Sequence, residues 1–81
     1  MEKDVINAHV CCKNNRMQLL KAKKCGCCYC LKIFSPNLIK EWCDDENTAI
    51  CSFCGIDAII YENNYYPLNI EFLEKMKKYW F

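Results

Sequence analysis

Apolar positions recur at helical spacing near both ends of this chain, while the middle is denser in β-branched residues. From about Lys3 to Lys21, Ile6, Val10, Met17 and Leu20 fall on one side at helical spacing, predicting a helical N-terminal arm over residues 1–24. Asn14-Asn15 interrupts the pattern, and because asparagine is a modest helix former and a good N-cap, the segment reads equally as one helix or two short ones. Ser35-Pro36 places an N-cap before proline at the first helical position, which predicts a helix carrying Leu38, Ile39, Trp42 and Cys43 on one face. Asp44-Asp45-Glu46-Asn47 is expected to end it. Thr48-Ala49-Ile50 reads as extended, and Ile56 to Tyr61 is rich in strand formers, so a short hairpin is expected.

After a loop by composition over 62–67, a C-terminal helix is predicted across 68–81, with Phe72, Leu73, Met76 and Trp80 along its apolar stripe. Glu71 precedes Lys75 and Glu74 precedes Lys78 by four residues, the favoured orientation for helix pairs. Such a helix is built to dock, and the expected surface is the two cysteine-bearing turns over 27–30 and 51–54 together with the helix containing Trp42.

Cysteine spacing changes this picture most. Cys27-Cys28-Tyr29-Cys30 and Cys51-Ser52-Phe53-Cys54 are two C-x2-C turns separated by 20 residues, the arrangement by which four thiolates close around a tetrahedral zinc ion. An aromatic precedes the last cysteine of each turn and an apolar run follows, so the two read as a pseudo-symmetric pair of knuckles. One structural Zn2+ held by Cys27, Cys30, Cys51 and Cys54 is the resulting expectation. Cys25 and Cys28 also form a C-x2-C, which would leave 22 residues before Cys51. In the preferred register Cys25 is a neighbour of the site that can donate a weak S–H bond or exchange in as a ligand. A closed four-sulfur site leaves no position for water or substrate, which argues against zinc catalysis.

The fold class that follows is a small α+β zinc-dependent domain of 81 residues, a zinc-ribbon or rubredoxin-like double knuckle with an inserted helix over 25–61, flanked by helices at both ends. A domain of this size is marginal on apolar burial alone, and structural zinc supplies on the order of 10 kcal/mol of apparent binding free energy. Nine cysteines raise the question of disulfides. The absence of a signal-peptide pattern after Met1, the odd count and the adjacent pairs Cys11-Cys12 and Cys27-Cys28 fit a reduced, cytoplasmic setting better. No apolar run approaches the roughly 20 residues a membrane helix needs.

From Cys25-Gly26-Cys27 onward the residues resemble a family of small bacterial zinc-ribbon-like proteins usually labelled only as cytoplasmic proteins. The resemblance rests on Tyr29-Cys30, Phe34, Pro36, Ile39, Glu41-Trp42, Asp44, Thr48-Ala49, Cys51 and Cys54-Gly55-Ile56-Asp57. It continues through Tyr66-Pro67, Glu71-Phe72-Leu73, Met76 and Trp80-Phe81, and more loosely covers Ala8-His9 and Arg16. Cys28, Cys43 and Ser52 depart from its pattern, which implies that Cys28 and Cys43 are substituted core positions rather than ligands. The family brings no established activity.

Little else carries chemistry. His9, beside Cys11 and Cys12, is a candidate for a second metal site, although a lone helical histidine is more often packed or solvated. Asp57 is able to share a groove with Asp44 or Asp45, but reads as a capping or strand-face residue. With two glycines, no phosphate loop and only distant His9 as a base for Cys25 or Cys28, a thiol- or metal-dependent enzyme is the least favoured reading. The favoured one is a protein-interaction or regulatory module presenting Tyr61, Tyr65, Tyr66 and Tyr79-Trp80-Phe81. The alternative is nucleic-acid binding through Arg16, Lys21, Lys23, Lys24 and Lys32 with Tyr29 stacking on bases, which a net charge of +1 supports only weakly.

Overall fold

The structure, a computed structural model, describes residues 2–64 and 66–80; the expectations placed on Tyr65 and Phe81 lie outside the described residues. It is a small α+β arrangement of short elements. Helix α1 (Glu2–Ala8) runs into a 3-10 turn (His9–Cys12), and α2 (Arg16–Lys21) follows. Five strands come next, β1 (Cys25–Cys27), β2 (Ile33–Phe34), β3 (Glu41–Cys43), β4 (Thr48–Ile50) and β5 (Ile59–Tyr61), then helix α3 (Ile70–Trp80). All strand pairs are antiparallel: β2-β1-β5 form one sheet and β3-β4 a separate hairpin. Among the described residues, no helix is long and apolar enough to cross a membrane.

The arm is broken where Asn14-Asn15 interrupts the pattern, with Asn14 at φ 50°, but it turns the opposite face inward from the one its large apolar residues predict. Ile6, Val10, Met17 and Leu20 are exposed, from 43% at Ile6 to 76% at Val10, whereas Val5, Ala8, Cys12, Asn15 and Leu19 are buried. The Asn15 amide decides this. Its Nδ2 donates to Cys11 O at 2.8 Å and Ile59 O at 2.9 Å, and its Oδ1 accepts from the Ala49 N–H at 3.0 Å. One side chain thereby ties the arm to β4 and β5. Small Ala8 and Cys12 let the 3-10 turn lie close against β5.

The inserted helix expected from Ser35-Pro36 is a correction. Only one 3-10 turn forms (Pro36–Leu38), and Ser35 makes no side-chain cap hydrogen bond. Trp42 and Cys43 instead lie on β3, in register with Ala49 and Thr48 of β4. Asp44 to Asn47, read as a helix terminus, is the turn of that hairpin, with Asp44, Asp45 and Glu46 at φ 53°, 58° and 67°. Left-handed backbone is costly for side chains with a Cβ, and the arm holds the turn in place. Arg16 donates from its backbone N to Asn47 O (3.0 Å) and from Nη1 to Glu46 O (2.9 Å), while its guanidinium lies 4.8 Å from the Trp42 ring centroid. Thr48 Oγ1 accepts from the Asn14 N–H and donates to the Asp44 carboxylate.

Helix α3 begins at Asn69, whose Oδ1 accepts from the Phe72 N–H at 2.8 Å, an ordinary asparagine cap. Its Phe72, Leu73 and Met76 are buried. The helix settles on β1 because Gly26 has no side chain: a Cβ there would meet the Leu73 and Leu68 methyls at 3.0 and 3.2 Å. It also packs on α1, where Trp80 Nε1 donates to Val5 O at 3.0 Å. That contact replaces the expected docking on a Trp42 helix.

Candidate metal centre

The two C-x2-C segments fold into the same local structure. In the first, the Leu31 N–H donates to Cys27 O at 2.9 Å and the Cys27 N–H to Lys32 O at 3.0 Å. In the second, Gly55 N–H donates to Cys51 O at 2.9 Å and Cys51 N–H to Ile56 O at 3.0 Å. The residue after the last cysteine is left-handed in both, Leu31 at φ 65° and Gly55 at φ 78°. The pseudo-symmetry of the sequence is therefore a symmetry of backbone hydrogen bonds, although only the second turn has glycine where the backbone prefers it. The first turn leaves the end of β1, and the second follows β4.

These turns bring Cys27, Cys30, Cys51 and Cys54 together. All four sulfurs lie within 4.8 Å of one another, with Cys27 Sγ to Cys54 Sγ at 3.5 Å and Cys30 Sγ to Cys51 Sγ at 3.7 Å. A metal 2.3 Å from each of four tetrahedral sulfurs requires S–S edges of about 3.8 Å, so the cluster has the dimensions of such a site. Cys27 and Cys51 are buried, and Cys30 and Cys54 are half-buried. Cys27 Sγ accepts from the Tyr29 and Cys30 N–H groups at 3.4 and 3.5 Å, and Cys51 Sγ from the Phe53 N–H at 3.4 Å. Such bonds stabilise thiolates.

Burial pushes the Cys27 and Cys54 thiols up. At Cys51 burial acts in the same sense, but the N–H groups of Phe53 and Cys54, with the neighbouring thiols of Cys30 and Cys54, outweigh it and bring that thiol below its ordinary range. The N–H groups aimed at Cys51 thus favour its thiolate form over that of a thiol without them. A divalent metal would supply the charge that lets the others deprotonate.

The remaining cysteines lie outside this group. Cys25 is fully buried, its Sγ donates to Phe34 O at 3.4 Å, and burial, followed by the charge of Cys51, pushes its thiol up to about 12. Cys28 is buried and hydrogen-bonded to Cys12, which holds Cys28 protonated and lowers Cys12. The alternative Cys25–Cys28 register would use two sulfurs engaged elsewhere. Cys43 is half-buried on β3. His9 stacks on Trp80 with centroids 3.9 Å apart and lines an open pocket of about 520 Å³ with Cys11, Lys13 and Tyr61. Among the described residues, no second group of three metal-ligating side chains includes His9, Cys11 or Cys12, and none is formed by Asp57 with Asp44 or Asp45.

The aromatic surface proposed from composition is redistributed. Tyr66 is buried, donating to Tyr61 O at 2.7 Å and stacking on Phe72, and Tyr61 is half-buried. Tyr79 and Trp80 retain exposure at 52% and 37%, and the knuckle-tip rings Tyr29 and Phe53 are 40% and 50% exposed. Of the basic residues, Arg16 is committed to the hairpin turn. Sequence reasoning took Asn15 only as a helix break and cap, yet its side chain makes no cap hydrogen bond; the signal of its tertiary role was its position in phase with Val5, Ala8, Cys12 and Leu19. No family model matches the chain, and neither does any curated protein or solved structure.

Proposed function

We propose that this chain is a non-catalytic module stapled by one structural zinc ion on Cys27, Cys30, Cys51 and Cys54 in a zinc-ribbon-like double knuckle, and that its N-terminal arm docks a protein partner. The observation that carries the docking reading is the outward face of the arm. Ile6, Val10, Met17 and Leu20 place four large apolar side chains in solvent on consecutive short helices, where polar residues would cost nothing. Beside Leu20 lies a groove of about 170 Å³ walled by Ala22, Pro36 and Trp42. Exposed apolar side chains gathered on one segment are the kind of surface that a partner can cover.

Zinc is the metal that four thiolates in a closed tetrahedron suit best, and a site without an open position supplies folding energy rather than chemistry. The disposition of the other groups agrees: the remaining buried thiols are engaged in the core, and the one histidine is stacked on Trp80 rather than facing a nucleophile. The test is a comparison of zinc-loaded baits in extract from the native host. Wild-type protein is expected to retain a defined partner that Val10→Asp and Leu20→Asp variants with full zinc content do not. Identical captures by all three baits would overturn the docking reading, and a stoichiometry other than one zinc per chain would overturn the metal assignment.

A further inference from the structure

The tips of the two knuckles carry the same pair of groups. Tyr29 and Phe53 occupy equivalent positions, each one residue before the last cysteine of its turn, and each ring has a lysine ammonium over it. Lys77 Nζ is 4.9 Å from the Tyr29 centroid, and Lys32 Nζ is 4.7 Å from that of Phe53. The lysines come from different elements, Lys77 from α3 and Lys32 from the loop before β2. Neither forms an ion pair with a carboxylate among the described residues. Phe34 packs edge-on against Phe53 at 5.1 Å and steadies that ring from below. Both tips flank one cluster whose sulfurs lie within 4.8 Å of each other.

We propose that the two knuckle tips bind single-stranded nucleic acid, with the Tyr29 and Phe53 rings stacking on bases and Lys32 and Lys77 on the adjoining phosphates. The chemistry is that of sequence-tolerant single-strand binding, in which exposed π-faces take bases and cations follow the backbone. A cation held over a ring by a flexible stem is poised for this exchange. As a base takes the ring face, the ammonium moves to the phosphate beside it, and neither group is left without a partner. A buried core role for the rings is inconsistent with their exposure of 40% and 50%. Base-paired duplexes present edges and phosphates but no free base faces, so they are disfavoured. This surface is separate from the arm proposed to dock a protein, and the two readings stand or fall independently.

The test is fluorescence anisotropy with a labelled twelve-nucleotide oligothymidylate, an oligouridylate of the same length and a duplex of mixed sequence, using zinc-loaded protein. Single strands are expected to bind more tightly than the duplex, with a log-log salt slope of about −1.4 for two phosphate contacts. Tyr29→Ala and Phe53→Ala are each expected to weaken single-strand binding about tenfold, Phe53→Tyr to retain it, and Lys32→Ala or Lys77→Ala to reduce the slope by about 0.7. Zinc content, read with a chromophoric chelator, is expected to stay full in every variant, and Val10→Asp is expected to leave oligonucleotide binding unchanged. Absence of single-strand binding at low salt, equal affinity for the duplex, or undiminished binding by a Tyr29→Ala/Phe53→Ala double variant that keeps its zinc would overturn the proposal.

Discussion

Replacing Asn15 by alanine removes one side chain that serves three backbone groups at once. The Ala49 N–H would lose its acceptor, and the carbonyls of Cys11 and Ile59 would lose their shared donor. Asn15 is 1% exposed, and Ala49 and Ile59 are fully buried, so water cannot readily substitute. A buried polar group left unpaired costs about 1–3 kcal/mol, which puts the combined loss for the three groups at about 3–9 kcal/mol. A domain of 81 residues has on the order of 4–12 kcal/mol of stability in total, so the variant should be close to unfolding. The assay is urea denaturation of zinc-loaded protein followed by the fluorescence of Trp42 and Trp80. With a slope of about 1 kcal/mol per molar, the midpoint should fall by about 3 M or more. Asn15→Leu separates polarity from volume, since it refills the space while still abandoning the three backbone groups. A leucine variant as stable as wild type, or an alanine variant within about 1 kcal/mol of it, would refute the reasoning.

Serine replacement of Cys27, Cys30, Cys51 or Cys54 is expected to abolish stoichiometric zinc and most tertiary fluorescence, whereas Cys25→Ser and Cys43→Ser should retain zinc; loss of zinc in Cys25→Ser alone would reassign the ligands. Because burial holds the Cys27 and Cys54 thiols up, protons compete with the metal for those sulfurs, so affinity measured by chelator competition should fall steadily as pH falls. Gly55→Ala should cost about 1–2 kcal/mol although its Cβ would meet nothing within 4 Å, since only the left-handed backbone at φ 78° is strained. At the equivalent Leu31 (φ 65°) the same rule predicts that Leu31→Gly is less destabilising than Leu31→Ala, as thermal melts of the loaded proteins will show. Trp80→Phe should cost about 1 kcal/mol for the lost bond to Val5 O. Trp80→Ala should cost less than the 3–5 kcal/mol typical of an enclosed aromatic, because the ring is 37% exposed.

Several features were legible in the residues themselves because their physical causes are local. The C-x2-C spacing with an aromatic before the last cysteine singled out the four sulfurs that the fold gathers, since each turn is closed by hydrogen bonds within six residues. The stripe of Phe72, Leu73 and Met76 depends only on helical periodicity, and α3 follows it. Tertiary structure decided the rest. Trp42 and Cys43 read as helical by spacing, but pairing of Glu41–Cys43 with Thr48–Ile50, reinforced by Arg16 on the hairpin turn, makes them strand. The arm had two faces of helical period. The richer apolar face lost to the one carrying Asn15, because three buried backbone groups contributed by the arm, β4 and β5 need that amide and no hydropathy pattern records their need.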